Sequence, residues 1–181
     1  MLRKLFLLAA LATIMVSQTE AKLINLGPQV GFYKAQDADK WALMGGVACR
    51  VKPIPLLGAE ASINYRQETY GDHAVTVHSW PVLVSGLIFP IPFLYAAVGG
   101  GWYNTTFDFD HTKLPVFSDE TVQRFGWHLG GGLELPVVGT GMTVTGDFRY
   151  VFLDYDLSDI PGSGSPKSDF AIITIGVLFG L

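Results

Sequence analysis

Cysteine is almost absent: Cys49 is the only one in 181 residues, which excludes an intramolecular disulfide framework. Charge is scarce as well. Asp, Glu, Lys and Arg make up 15% of the chain against the usual quarter, too little to cover a water-facing surface comfortably. The formal net charge of -4 speaks against a nucleic-acid partner, because phosphate binding draws on clustered Lys and Arg. Long apolar runs are missing too. Behind Arg3 and Lys4 stands one run, Leu5 to Val16, well short of the ~20 residues a spanning helix needs. Followed by the small and polar Ser17-Gln18-Thr19-Glu20-Ala21, it reads as a secretory signal peptide cleaved near Ala21, leaving 22–181 as one domain. No later segment is a transmembrane-helix candidate, and no 3.6-residue period is found.

What the chain does have is glycine, aromatics and a two-residue period. Gly numbers 21 and aromatics reach 13%. In residues 124–153 the alternation is plainest. Phe125, Trp127, Leu129, Gly131, Leu133 and Leu135 share one face, against Gly126, His128, Gly130, Gly132 and Glu134 on the other. After the turn Val138-Gly139-Thr140-Gly141, Met142, Val144, Gly146, Phe148, Tyr150 and Phe152 alternate with Thr143, Thr145, Asp147, Arg149, Val151 and Leu153. A period of two with an oily and a charged face is a strand pattern. Similar stretches occupy 24–33, 41–51, 57–66, 74–88, 93–103 and 169–181; 74–88 leaves its phase open, with Pro81 as a candidate bulge. The pattern predicts eight antiparallel strands of about the ~9–11 residues that cross a bilayer. The links after the second, fourth and sixth strands are short, and those after the first, third, fifth and seventh are expected to be long and polar. Sorting of short turns to one rim and long loops to the other is characteristic of outer-membrane barrels.

The polar face collects Arg50, Arg66 and Arg149 with Glu60, Glu134 and Asp147, joined by His128, Asn64 and Gln29. Pointed at hydrocarbon, each basic group near the midplane would cost ~2–4 kcal/mol. They are therefore expected to line the lumen as one network of Arg50, Glu60, Arg66, His128, Glu134, Asp147 and Arg149, and the oily face to meet lipid. A lipocalin-like cup reverses this placement. Eight strands enclose just enough room for side chains, so the network is expected to plug the barrel, with Gly126, Gly130 and Gly132 making room for the Arg149 stem. Tyr33, Trp41, Tyr65, Trp102, Tyr103, Phe125, Trp127, Phe152 and Phe170 fall near strand ends by the long links and are expected to form one aromatic girdle. Since lipid cannot satisfy an open sheet edge, the first and last strands must pair.

Taken together, these residues resemble the small Gram-negative outer-membrane β-barrel superfamily of the OmpA membrane domain, OmpX and the opacity-type proteins. The stretch PIPFLYAAVGGGWYNT, residues 90–105, is similar to that group's fifth-strand pattern. The resemblance implies an eight-stranded antiparallel up-and-down transmembrane β-barrel in the outer membrane, monomeric, surrounded by outer-membrane lipids and lipopolysaccharide. A departure is Leu181 at the C-terminus, where such barrels usually end in an aromatic residue; here Phe179 stands two before it.

Candidate chemistry is thin. Some members of the superfamily act on lipid A through Ser and His, yet acyl transfer needs a Ser within hydrogen-bond reach of its base, and the adjacent His78 and Ser79 must point to opposite faces of a strand. His111 has no obvious partner. The glycine triplets 99–101 and 130–132 lack the helix a phosphate cradle requires and fit close packing. The loop acids Asp108, Asp110, Asp119, Glu120, Asp154, Asp156 and Asp159 lack the spacing of a cation loop. No catalytic, metal or cofactor site is expected. The favoured reading is a non-enzymatic scaffold whose loops, around 104–123 and 154–168, offer a cell-surface, adhesion-type interaction site. A lipid A acyl hydrolase and a narrow solute channel are its rivals.

Overall fold

The computed structural model describes residues 22–36, 40–70, 75–109, 120–153 and 169–181; the expected signal peptide, His111 and most of the loop acids lie outside them. The described chain is a closed antiparallel barrel in simple sequential order. Its strands are β1 (Ile24–Ala35), β2 (Ala42–Ile54), β3 (Leu57–Tyr70), β4 (Val75–Ile91), β5 (Leu94–Phe109), β6 (Glu120–Val137), β7 (Met142–Phe152) and β8 (Phe170–Gly180). Closure comes from β1 against β8, running from Asn25 opposite Gly180 to Ala35 opposite Phe170. No helix among the described residues is long and apolar enough to cross a membrane.

At one rim the connections are tight, through Pro55 and Leu56, Pro92 and Phe93, and residues 138–141. In the last of these Gly139 and Gly141 take positive φ, at 80° and 68°, a conformation open to glycine at no steric cost. At the other rim the sequence expectation needs correcting. β3 continues to Tyr70 and β4 starts at Val75, so 67–70, read from the sequence as part of a polar link, belong to the strand. Likewise 104–109 and 120–123 extend β5 and β6 rather than belonging to a loop. Polar residues can continue a ladder wherever the wall rises beyond hydrocarbon, which is why composition alone ended these strands too early.

The oily face points outward on every strand. Val30, Phe32, Leu43, Val47, Ile63, Val84, Val98, Leu129 and Ile175 are all exposed, a band of apolar surface far larger than water-soluble monomers carry. β4 resolves the missing phase: Trp80, Val84 and Ile88 face out, while Ser79, Leu83, Ser85, Leu87 and Phe89 are buried within. Both of its faces are largely apolar, so alternation had no contrast to follow. Pro81 makes no bulge, since the pairings Trp80 with Asn104, Pro81 with Tyr103 and Val82 with Trp102 keep one register.

Candidate functional site

The inward residues sort into layers. Toward the long-loop rim lies an apolar cluster of Tyr33, Met44, Leu83, Tyr103, Val151, Leu153, Phe170 and Ile172. Tyr33 and Tyr103 each present an edge-on contact to Phe170, at centroid distances of 6.4 and 5.4 Å. Three residues assigned to the girdle are thereby relocated: Tyr33, Tyr103 and Phe170 fill the lumen. Their parity already said so, because Tyr33 alternates with Phe32, Tyr103 follows the outward Trp102, and Phe170 shares its phase with Ile172 rather than Ile173. Trp41, Tyr65, Trp102, Phe125, Trp127 and Phe152 are exposed on the outer wall, and Trp80 and Phe32 join them.

Toward the short-turn rim the lumen holds charge. Arg50 donates to Glu60 Oε2 through Nε at 2.9 Å and Nη2 at 2.5 Å, and through Nη1 to Glu134 Oε2 at 2.8 Å. Arg149 binds the other oxygen of Glu60 through Nη2 and reaches Asp147 Oδ1 through Nε and Nη2 at 3.0 and 2.9 Å. Tyr95 joins the halves, accepting from Arg50 Nη2 at 2.9 Å while its hydroxyl donates to Asp147. The outermost member is Lys52, whose Nζ lies 2.6 Å from Glu134 Oε1 and 3.9 Å above the Phe89 ring. Three cations, Arg50, Lys52 and Arg149, thus meet three anions, Glu60, Glu134 and Asp147. With Arg50 and Glu60 only 1% and 3% exposed, this balance is what makes burial tolerable, because a lone buried charge is severely destabilising.

Arg66 was expected here and is elsewhere. Its guanidinium lies 3.8 Å over the Tyr33 ring and 5.5 Å from that of Phe170, a cation–π contact with the apolar cluster. Lys52 takes its place in the charge count. The two prolines after Lys52 ended the strand too soon in the sequence reading, although Lys52 shares the inward parity of Arg50. Tyr95 was missed for want of a phase on β5, which Trp102 facing out supplies.

His128 sits in the middle of the lumen, its Nε2 2.8 Å from Ser85 Oγ, which also accepts from Arg149 Nη1 at 2.9 Å. This is a Ser–His hydrogen bond, but both residues are buried to 2% exposure or less, and the oxygen is capped by a guanidinium. His78 and Ser79 do face opposite ways: Ser79 is buried beside Thr105, and His78 contacts Tyr65 on the outer wall. Of the three inward glycines, only Gly130 serves Arg149. A Cβ there would stand 2.8 Å from Arg149 Cα and 3.0 Å from its Cγ, whereas at Gly132 it would meet the Tyr95 hydroxyl and at Gly126 Leu153 and Tyr103. Both glycine triplets lie inside β5 and β6, in pleated register. Among the described residues, no group of three or more His, Cys, Asp or Glu is placed to hold a metal ion. Cys49 is half-buried on the outward phase of β2.

The layers leave little continuous space. Among the side chains of the apolar cluster remains a void of about 10 Å³ beside Asn64 and Arg66, room for a single water. At the short-turn rim a vestibule of about 580 Å³, edged by Pro53, Pro55, Pro90, Pro92 and Pro136, ends on Lys52, Phe89 and Glu134.

No protein-family model matches the chain, nor does any curated protein sequence. Solved structures do match. Neisserial surface protein A aligns over 87% of this chain and 97% of its own, with a TM-score of 0.59 at 11% identity. The N-terminal β-barrel domain of Pseudomonas aeruginosa OprF aligns over 86% and 97%, with 0.54 at 14%. Ail, the attachment invasion locus protein of Yersinia pestis, solved in complex with the heparin analogue sucrose octasulfate, aligns over 86% and 95%, with 0.53 at 13%. At such identities the likeness is one of fold, and the fold is that of the small eight-stranded outer-membrane barrels.

Proposed function

We propose that this chain is an integral outer-membrane protein of a Gram-negative bacterium, exported by a cleaved signal peptide. It acts as a closed scaffold that holds its long loops at the cell surface as an adhesion-type interaction site. The observation that carries this reading is the balanced cluster of Arg50, Lys52, Arg149, Glu60, Glu134 and Asp147, stacked beneath an apolar plug within a wall that is apolar outside. Such a lumen favours a structural support over a pore. Sealing Ser85 and His128 inside it removes them from lipid substrates, which favours binding over acyl hydrolysis. Partners would be the surrounding lipids and lipopolysaccharide together with a surface ligand; Ail, whose structure holds a heparin analogue, shows that a barrel of this fold can engage a polyanionic saccharide.

The test has two arms. Purified barrel in planar bilayers is expected to give no reproducible single-channel openings; regular openings would favour the narrow channel. Gram-negative cells displaying the chain are expected to adhere to glycan-coated surfaces and host cells, and to lose that adherence when 110–119 and 154–168 are replaced by short Gly-Ser links. Equal adherence with and without these loops would remove the adhesion role.

A further inference from the structure

The barrel wall is taller on one side. β3, β4, β5 and β6 run 14, 17, 16 and 18 residues, against 12, 13, 11 and 11 for β1, β2, β7 and β8. At ~3.3 Å per residue, several extra residues per strand carry this half past the point where its neighbours stop. Along each tall strand the outer face changes over two steps. On β3 it passes from Ile63 through Tyr65 to Gln67, on β4 from Val82 through Trp80 to His78, on β5 from Trp102 to Asn104, and on β6 from Phe125 to Gln123. Hydrocarbon-compatible surface gives way to rings and then to polar groups, the profile of a bilayer boundary.

These groups form one patch. Tyr65 stacks against both His78 and Trp80, with centroids 6.1 and 6.2 Å apart and planes 28° and 26° from parallel. Its hydroxyl lies 2.8 Å from His78 Nδ1 and 3.0 Å from Gln67 Oε1. Beside them Gln123 Nε2 donates to Asn104 Oδ1 at 2.6 Å, and Asn104 Nδ2 to the Trp80 carbonyl at 3.2 Å. Internal bonds preset the side chains, and Trp80 and Tyr65 are each more than two-fifths exposed.

We propose that this patch binds the saccharide headgroup of an outer-leaflet glycolipid. Flat aromatic faces match the apolar faces of sugar rings, and carboxamides match the hydroxyls around them. The Tyr65, Gln67, His78, Trp80, Asn104 and Gln123 patch offers no Lys or Arg, which argues for sugar hydroxyls rather than phosphate as the recognised groups. Continuity with the lipid-facing band directly below fixes the source: a headgroup here keeps its acyl chains against Ile63, Val82 and Trp102. This rests on the outer-membrane reading above and names one binding site for the lipids around the barrel.

The experiment is native mass spectrometry of the barrel released from nanodiscs holding phosphatidylethanolamine with or without lipid A, and with the soluble disaccharide of lipid A as competitor. Wild type is expected to retain lipid A, and the double variant Tyr65→Leu/Trp80→Leu to lose retention at least fivefold. Trp41→Leu/Phe152→Leu, which removes outer-wall rings on the short side, is expected to retain it. Equal retention in both variants would overturn the site, as would equal loss. Retention abolished by the soluble disaccharide at stoichiometric level would overturn the membrane source. A barrel that fails to insert into nanodiscs at all would instead sink the outer-membrane reading. Heat-resistant migration in SDS shows that each variant folds, and Gln67→Leu/Gln123→Leu, which spares every ring, supplies a second variant expected to lose retention.

Discussion

Arg149→Met is expected to lower the stability of the barrel in lipid vesicles by about 3–5 kcal/mol, the usual consequence of stripping one partner from a buried ion pair. The side chain is 6% exposed and holds Glu60, Asp147 and Ser85 together. Without it two cations, Arg50 and Lys52, face three anions, and Glu60 keeps only Arg50. Removing a negative partner as well restores equality: in Glu60→Gln/Arg149→Met, Arg50 and Lys52 remain against Glu134 and Asp147. The double variant is therefore expected to be less destabilised than the two single losses added together, with a coupling of roughly 1–3 kcal/mol. Urea titration followed by tryptophan fluorescence, with the folded fraction read from heat-modifiable migration, measures all three. Strict additivity would mean that the charges do not work as one unit.

The second large effect concerns the opposite face. Leu129 is 58% exposed and lies mid-strand on β6, opposite Val98 on one side and Tyr150 on the other. On a water-facing surface Leu129→Arg would change stability by no more than about 0.5 kcal/mol. Facing the middle of a bilayer it is expected to cost ~2–4 kcal/mol, read from the same titration. Because exposure and apolarity coincide along the outer wall, this one substitution separates a lipid-facing wall from a solvated one. A neutral result would contradict the lipid assignment even if the barrel itself folds.

How much of this was legible in the sequence depended on contrast between faces. Where one face was charged and the other oily, as on β6 and β7, alternation fixed both the strand and its orientation, and Arg50, Glu60, Glu134, Asp147 and Arg149 followed into the lumen. β4 carried apolar residues on both sides, so Trp80 was not placed. Girdle assignments by distance from the strand end failed at Tyr33, Tyr103 and Phe170, where the two-residue period was the stronger rule. The apolar plug was not foreseen because lumen-facing hydrophobics such as Met44, Leu83 and Ile172 give no signal of their own. Arg66 misled for a related reason: a cation on the inward phase can be satisfied by the Tyr33 ring as well as by a carboxylate. Polar strand ends were lost as loop because nothing in composition distinguishes a β-wall above a membrane from a connection.

Single nitroxides placed along β8 from Ala171 to Phe179, in a Cys49→Ala background and in lipid vesicles, test the inside-out arrangement most directly. β8 bears no charge, so only its surroundings can set the pattern. Ile173, Ile175 and Phe179 are expected to collide freely with oxygen dissolved in the acyl chains, and Ile172, Thr174 and Leu178, buried in the lumen, to be shielded from it. The opposite phase, or collisions with a water-soluble relaxing agent at Ile173 and Ile175, would contradict a barrel that turns its apolar face to lipid.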